Sequence, residues 1–436
     1  MSLVTSFLVM LQPLAWAMTA PTFSNLATLL AGWAFASRRT VTGMLLAARA
    51  VGKKHHSAFH RLFAQAQWSL DRIGLLVFDM ITPWLNDGEV LLALDDTLAR
   101  KRGLKVFGAG MHHDPLLSTR NKAVMNWGHS WAVLGVIVRF RLWPDRALCL
   151  PILFRLYLNK KSALRDRRTY RTRPELAVEM LQIVCGHQKT SRFHVLADSA
   201  YGGQSVLTQL PANCDLTSRL LMNARLYDAP PERQPGTNGR PRKRGTLLPT
   251  PEAMLQGRAR RVTLDIYGRH DEVRVCDCQG RVYSAPERPL RVVAIEPLLG
   301  GRTCQAFYST RSDASAEQVL CWYALRWSLE VTFHDSKQSL GFEEPQGWTR
   351  RAVERTAPMA MLLYSLIVLW FAAEGHRHYR VPTCPWYTTK QHASFADMLA
   401  TLRRETIRGQ VLSLPLTGPG SRKITRTLEN IAALAA

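Results

Sequence analysis

Residues 90–97 read VLLALDDT, an unbroken apolar run followed by two aspartates and a threonine. Apolar side chains on both faces of a strand are typical of a central strand in a sheet covered on both sides. A second short apolar run, residues 193–197, leads directly into Asp198. The two runs predict buried strands that end at carboxylates.

The segments around these two strands predict a mixed α/β fold. Residues 130–140 and 147–158 are rich in valine, isoleucine, leucine and aromatic residues, which favour strands. Residues 174–186 predict a helix, with a proline near its start and a glycine at its end. Four further β-like runs lie at residues 260–266, 272–276, 290–295 and 303–308.

Residues 1–85 show helical spacing of apolar side chains, as in Leu62, Ile73 and Val77. No charged residue precedes Arg38, but polar residues and prolines interrupt this uncharged stretch. It therefore favours buried helices over a signal peptide or a membrane span. Basic residues cluster near the predicted helix ends and indicate DNA binding; a packing domain with a charged surface is the alternative. The cluster comprises Arg38, Arg39, Lys53, Lys54, His55 and His56.

The composition restricts the class of protein. The 436 residues carry 57 lysines and arginines against 33 acids, a formal net charge of +24. This excess predicts a polyanionic partner, with nucleic acid ahead of an anionic membrane. A hydrophobic content of 47% is enough to form a packed core and argues against a disordered chain. The eight cysteines lack the spacing of a structural zinc site and indicate free thiols in a reducing cytosol.

Residues 315–340 predict one helix that ends at Gly341. On a helical wheel, Tyr323, Arg326, Glu330 and Lys337 share an arc of about 60° beside an apolar stripe. A carboxylate flanked by two cations could bind a metal ion while the cations hold phosphates. An ordinary charged helix surface is the alternative.

Three carboxylates are candidates for a common site. Asp95 and Asp198 follow predicted strands, and Glu330 lies on the later helix. Three such groups at a sheet edge can hold two divalent ions that activate a nucleophile and stabilise a leaving oxygen in phosphodiester cleavage. Magnesium suits this donor set because it prefers oxygen ligands.

The motifs resemble those of one family. The spacing Tyr323-(2)-Arg326-(3)-Glu330-(6)-Lys337 resembles the signature of bacterial insertion-sequence transposases with a DDE catalytic triad. LALDDT at residues 92–97 and VLADSAYGG at residues 195–203 resemble the first and second aspartate boxes of that family. The segment at residues 110–131 is also similar. The resemblance covers about residues 85–375.

The resemblance implies an RNase H-like catalytic domain of the α/β class, with a β-rich insertion and an all-α N-terminal domain. The implied divisions begin with a helical, DNA-binding segment at residues 1–85 and a first part of the core at residues 86–225. A β-rich insertion follows at residues 226–312, with a basic loop at residues 230–245. The second part of the core spans residues 313–375, and a C-terminal extension spans residues 376–436.

The resemblance also implies roles for individual residues. Asp95, Asp198 and Glu330 would ligate two Mg²⁺ or Mn²⁺ ions. Tyr323, Arg326 and Lys337 would contact phosphates near the cleaved DNA end. Asp95 is favoured over Asp96 because the catalytic acid of the family directly follows the apolar strand, but Asp96 stays open.

The function implied is a DNA transposase that binds terminal inverted repeats, cleaves DNA and joins the 3′ ends to target DNA. We expect a homodimer in the DNA complex, a cytoplasmic location and no stable membrane association. The alternatives are a regulator that binds DNA without transposition, another RNase H-like nuclease and a basic membrane-surface protein. Relatives of this family that cut through a DNA hairpin stack a flipped base on a tryptophan of the β insertion, but no tryptophan lies between Trp143 and Trp322. Tyr267, Tyr283 or Tyr308 could substitute for it, and simple hydrolysis followed by strand transfer is equally open.

Overall fold

The computed structural model describes most of the chain. Residues 233–241 of the predicted basic loop, Tyr267 and much of the predicted C-terminal extension lie outside the described residues. The described residues are 3–85, 88–119, 121–232, 242–266, 269–298, 303–381, 390–412, 424 and 426–428.

The N-terminal part of the chain is helical, as predicted. Its helices are α1 (Thr5–Leu11), α2 (Ala20–Phe35), α3 (Val41–Ala47), α4 (Ser57–Ala64) and α5 (Leu70–Ile81). Side-chain caps begin two of them: Thr40 accepts a hydrogen bond from the Gly43 amide at the start of α3, and Ser69 accepts one from the Arg72 amide at the start of α5.

These helices do not form a separate core. Their buried side chains belong to the same hydrophobic cluster as the strands of the central sheet. At Gly74 of α5 the backbone approaches a strand so closely that an added Cβ would lie 1.9 Å from the Ile152 carbonyl oxygen. The expectation of an independent all-α domain is therefore not supported, because the apolar faces of these helices are buried against the rest of the protein.

The central sheet contains the strands predicted around the aspartates. Its first six strands are β1 (Glu89–Arg100), β2 (Gly110–His113), β3 (Met125–Val138), β4 (Leu148–Tyr157), β5 (Arg192–Ala197) and β6 (Cys214–Leu220). Strand β3 pairs antiparallel with β1, β2 and β4, while β1, β5 and β6 run parallel in that order. Helices α6 (Lys160–Arg165), α7 (Arg173–His187) and α8 (Gln204–Leu207) connect β4, β5 and β6. This mixed α/β arrangement is consistent with an RNase H-like fold.

The predicted β-rich segment extends the same sheet. It contains β7 (Leu226–Tyr227), β8 (Leu247–Leu248), α9 (Pro251–Leu255), β9 (Arg260–Ile266), β10 (Arg269–Val282), β11 (Leu290–Pro297) and β12 (Gln305–Ser309). Strand β12 pairs antiparallel with β6, so the ladder continues from the core into this segment. A second, smaller hydrophobic cluster lies between these strands and the helix that follows them.

The predicted single helix over residues 315–340 is wrong in one respect. Two helices, α10 (Ala316–Leu325) and α11 (Trp327–Leu340), meet at Arg326. At the junction the Arg326 amide bonds to the Tyr323 carbonyl and the Leu329 amide bonds to the Arg326 carbonyl, both three residues apart. The Ser328 hydroxyl also donates to the Leu325 carbonyl at 2.8 Å. These tighter bonds replace the regular four-residue ladder and break the helix.

The long apolar helix α12 (Arg350–Ala373) lies at the centre of the protein. Within the described ranges it alone has the length and hydropathy of a membrane span, yet 94% of its most apolar window is buried in the protein. Its Ser365 hydroxyl donates to the Pro151 carbonyl of β4 at 3.0 Å, and Trp370 donates to Ser6 of α1 at 2.9 Å. Helix α12 therefore packs as a core helix between the N-terminal helices and the sheet. The last described helix, α13 (Phe395–Leu412), packs against it.

Candidate active site

Asp95 and Asp198 lie side by side on neighbouring parallel strands. The last parallel pair between β1 and β5 joins Leu94 to Ala197, so Asp95 is the next residue of β1 and Asp198 is the first residue after β5. The prediction that β1 ends at Asp95 is wrong, because antiparallel pairing with β3 extends it to Arg100. Only the parallel ladder to β5 ends there, and this opens the space that the two carboxylates occupy.

Arg326 connects Asp95 to Glu330. Its guanidinium donates from Nη1 to Asp95 and from Nη2 to Glu330 Oε1, the latter at 2.8 Å. The Arg326 side chain is only 12% exposed. The junction between α10 and α11 thus places a cation between the strand carboxylate and the helix carboxylate.

The Tyr323 ring forms one side of this arrangement. The Arg326 guanidinium carbon lies 5.4 Å from the centroid of the ring, and the other aromatic neighbour is Phe307 of β12, with ring centroids 4.6 Å apart. Because Tyr323 is only 9% exposed, its side chain acts here mainly as packing for Arg326.

The electrostatics of the site reflect crowded carboxylates. Burial raises the pKa of Asp95 to about 7; the Arg326 guanidinium opposes this rise, while Asp96 and Glu330 reinforce it. Burial disfavours the charged form of Arg326, but the surrounding Asp95, Tyr323 and Glu330 hold its pKa well above the usual range. The site therefore carries an excess of negative charge that favours bound cations.

Asp198 faces the same region without joining an ion pair among the described residues. Its Oδ1 accepts a hydrogen bond from the Ser199 amide at 2.7 Å, and its carbonyl accepts one from the Ser218 hydroxyl at 3.1 Å. Its charge contributes to the raised pKa of Tyr323 and of Arg326. Among the described residues, the other oxygen of the Asp198 carboxylate has no hydrogen-bond donor, so it could accept another ligand.

Asp96 points to the other face of the sheet. Its carboxylate lies 3.4 Å from the Arg173 guanidinium and accepts a hydrogen bond from the Tyr201 hydroxyl at 3.4 Å. Arg173 also donates to the Ser130 hydroxyl and stacks on the Tyr157 ring. Sequence reasoning missed Arg173, although a cation at the first residue of a helix opposes the helix dipole and so indicates a nearby carboxylate.

Lys337 lies apart from the other three residues of the helix signature. Its Nζ is 3.9 Å from Glu343 Oε1, and its side chain is 19% exposed. Burial lowers the pKa of Lys337, and the Glu343 carboxylate opposes that shift. Nearby, Lys101 donates to the Glu343 carbonyl at 2.7 Å. The structure therefore brings Tyr323, Arg326 and Glu330 together and places Lys337 at a second basic position.

The three carboxylates have the donor chemistry of a magnesium site. Asp95, Asp198 and Glu330 offer only carboxylate oxygens, the ligand type that Mg²⁺ and Mn²⁺ prefer. Two of them already surround the positive charge of Arg326. In the part of the chain that the structure describes, no three potential metal ligands are gathered around one point. A metal ion between Asp95 and Glu330 would thus have to displace Arg326.

The tyrosines considered for base stacking differ in accessibility. Tyr308 is 1% exposed, and its hydroxyl donates to the Gly202 carbonyl at 2.6 Å. It is part of the core and cannot stack on a base. Tyr283 is 65% exposed, and Tyr267 lies outside the described residues.

A family model described as "DDE superfamily endonuclease" matches residues 18–272. This match covers more than half of the chain and includes Asp95 and Asp198, but it ends before Glu330. The chain belongs to the DDE superfamily endonuclease family.

A curated relative supports the same family. Over 172 residues the chain is 24% identical to a probable transposase for insertion sequence element IS701 from Microchaete diplosiphon. The aligned region covers 38% of this chain and 41% of that protein. The chain therefore spans about two fifths of the length of this relative.

Proposed function

We propose that this protein is a DNA transposase that binds transposon-end inverted repeats, cleaves DNA and joins the 3′ ends to target DNA. The observation that carries the proposal is the Arg326 guanidinium, which joins Asp95 to Glu330 at the sheet edge where Asp198 follows the neighbouring strand β5. Membership of the DDE endonuclease family and the similarity to a probable transposase support it.

Asp95, Asp198 and Glu330 are the residues that would hold two Mg²⁺ or Mn²⁺ ions. Such ions, when bound, supply a nucleophile at neutral pH and stabilise the leaving oxygen. We assign the first position to Asp95 and not Asp96. The support is geometric, because Asp95 lies on the Glu330 side of the sheet and Asp96 is engaged by Arg173 on the other.

Arg326 has two roles in this proposal. Without DNA it neutralises Asp95 and Glu330 and so holds two crowded carboxylates in position. With DNA, its planar guanidinium would turn to a phosphate oxygen, for which it is suited by geometry. Tyr323 would orient Arg326 through their ring contact, and Lys337 would contact the backbone farther along α11.

The proposal includes the partners and the setting of the reaction. Double-stranded DNA is the substrate, as transposon end and as target, and the net charge of +24 is suited to it. We further propose a homodimer in the DNA complex, since two ends have to be joined together, and a cytoplasmic location at the nucleoid.

The direct test is cleavage and joining of an oligonucleotide that carries the inverted repeat flanking the coding DNA. We expect Mg²⁺-dependent nicking at the repeat end and transfer of the 3′ hydroxyl to a second duplex, both lost with a chelator. Cleavage without joining would reduce the protein to an endonuclease. Binding to the repeat without cleavage in Mg²⁺ or Mn²⁺ would instead favour a regulator.

A further inference from the structure

A cleft of about 1070 Å³ opens beside the outer part of β4, and none of the six predicted site residues lines it. Its walls are the start of α5, the loop between α6 and α7, and the first turns of α12. Seven arginines and three acids line it, which leaves an excess of four positive charges. The arginines are Arg155, Arg167, Arg168, Arg171, Arg350, Arg351 and Arg355, and the acids are Asp71, Glu179 and Glu354.

The acids of the cleft are already occupied. Arg155 pairs with Asp71 at 2.7 Å and with Glu179 at 2.9 Å, and Arg171 also pairs with Glu179. Glu354 pairs with Arg350 at 3.0 Å one turn away on α12.

Other arginines of the cleft keep their charge available. Arg167, Arg168 and Arg351 form no ion pair with any acid in the described ranges, and all three are exposed. Among the described residues, Arg351 donates only to the Gln65 carbonyl, at 3.3 Å. These side chains present guanidinium groups toward solvent at the mouth of the cleft.

The backbone holds the free pair Arg167 and Arg168 in a fixed turn. Arg167 has a φ of 52°, a left-handed conformation that is uncommon for residues other than glycine. The turn ends α6, with the Arg168 amide bonded to the Ala163 carbonyl at 2.8 Å. This left-handed C-cap fixes the point at which the Arg167 and Arg168 side chains leave the backbone.

Two further features of the cleft suit an anionic ligand. Helix α12 begins with Arg350 and Arg351, without an acid in its first turn and without a side-chain cap from Thr349. Cations at this end oppose the helix dipole, so a bound anion would offset this repulsion. In addition, Trp131 is 1% exposed and lines the cleft, and its indole N–H has no acceptor among the described residues.

We propose that this arginine cleft binds the sugar–phosphate backbone of a duplex DNA segment other than the one held at the carboxylates. This inference rests on the proposed function, in which the protein acts on DNA. Guanidinium groups match phosphate oxygens in pairs, and a duplex presents phosphates at regular spacing. An acidic polypeptide offers the same charge with less regular geometry and is the competing ligand in the test.

The test compares two pairs of substitutions in the full-length protein. Arg167→Asn with Arg168→Gln removes the free charges, and asparagine tolerates the left-handed backbone at position 167. The matched control is Arg139→Gln with Arg141→Gln, which removes two exposed arginines from the turn between β3 and β4. The binding of a short duplex of arbitrary sequence is followed by fluorescence anisotropy over a range of salt concentrations.

We expect the cleft variant to bind the duplex on the order of tenfold more weakly. The slope of the logarithm of the binding constant against the logarithm of the salt concentration should become shallower by about 2. The control should change affinity by less than about threefold. Arginine modification by phenylglyoxal should show protection of Arg167, Arg168 and Arg351 when DNA is bound. Unchanged affinity in the cleft variant, an equal loss in the control, or no protection would overturn the proposal.

Two further measurements identify which idea fails. If polyglutamate binds the unaltered protein and loses affinity in the cleft variant while the duplex does not, the cleft is a site for acidic polypeptide and the proposal is overturned. Mg²⁺-dependent cleavage is measured on the same proteins. If no protein cleaves DNA but only the cleft variant loses affinity for the duplex, the transposase function is contradicted and the DNA-binding role of the cleft is supported. If cleavage is intact and the cleft variant keeps its affinity for the duplex, only the role of the cleft is contradicted.

Discussion

Asp95 and Asp96 are consecutive residues of β1 whose carboxylates bind different arginines on opposite faces of the sheet. Arg326 donates to Asp95, and Arg173 lies 3.4 Å from Asp96. Side chains alternate along a strand, so the two adjacent acids have different ion-pair partners, while burial and the charge of Asp198 raise the pKa of Asp96. The pair therefore separates a proposed metal ligand from a structural anchor.

We expect Asp95→Asn to reduce DNA cleavage by at least about 100-fold, because loss of a residue that merely orients a metal ligand already costs that much. Asp96→Asn should retain cleavage within about tenfold and lose about 1 kcal/mol of stability, since Arg173 loses a partly exposed partner. Cleavage rates and urea unfolding of both variants check this. Greater loss of cleavage in Asp96→Asn would reverse the assignment.

Asp198→Asn and Glu330→Gln should each abolish cleavage while binding to end DNA stays within about threefold of the unaltered protein. The matched control is Glu317→Gln on α10, an acid that pairs with Arg260 away from the carboxylates. It should cleave normally. Gel-based cleavage and anisotropy on the same samples separate the two effects. Full cleavage by either variant would contradict the metal assignment.

Lys337→Met should weaken binding to transposon-end DNA, because one phosphate contact is lost while the apolar stem of the side chain is kept. The slope of the logarithm of the binding constant against the logarithm of the salt concentration should become shallower by about 1. Lys189→Met removes an exposed lysine after α7 and is the control for net charge. Salt titrations of both variants decide the matter. An unchanged slope in Lys337→Met would show that this lysine serves Glu343 alone.

Gly74→Ala should destabilise the whole protein by about 3 kcal/mol, since the new methyl group meets the Ile152 carbonyl and pushes α5 from β4. Gly186→Ala on α7 meets no atom of the described residues within 4 Å and should be neutral or stabilising by up to about 1 kcal/mol. Thermal unfolding measures both. A Gly74→Ala protein that loses only part of its helical signal at lower temperature would indicate an independent N-terminal domain.

His129 should make stability fall on acidification. Burial lowers its pKa to about 3, the positive charge of Lys101 adds to this, and a bond to the Phe107 carbonyl opposes it. Below the ordinary value of 6.5 the unfolded chain therefore takes up a proton that the native protein does not. The contribution of His129 to the free energy of unfolding is therefore fully present above pH 6.5, and it declines by up to about 1.4 kcal/mol per pH unit between pH 6.5 and pH 3.

His129→Gln keeps a donor for the Phe107 carbonyl and should remove this dependence. The measurement is the free energy of unfolding by urea at pH 7.0, 6.0 and 5.0 for both proteins. The unaltered protein should lose stability relative to His129→Gln as the pH falls, so the difference between their free energies of unfolding should shrink or change sign. Parallel curves would contradict a neutral, buried imidazole.

Much of the local structure was predictable from the sequence. The apolar runs at residues 90–94 and 193–197 lie in β1 and β5, and the strand predicted at residues 260–266 coincides with β9. Gly341 ends α11 in a left-handed conformation with a φ of 60°. These features depend on neighbours in the chain, where periodicity and glycine act directly. Strands β2 and β6 were missed because β2 is short and the β6 sequence, CDLTSRL, carries mixed polar residues.

The sequence by itself determined the order of the elements, the residues that carry carboxylates and the family of the chain. Tertiary structure alone decided that Asp95 and Asp96 face opposite sides, that the helix breaks at Arg326 and that the N-terminal helices share the core of the sheet. The physical reason is that these features depend on contacts distant in sequence. Arg326 and Asp95 are 231 positions apart, and no local pattern specifies which carboxylate a guanidinium will find once the sheet and α11 have packed.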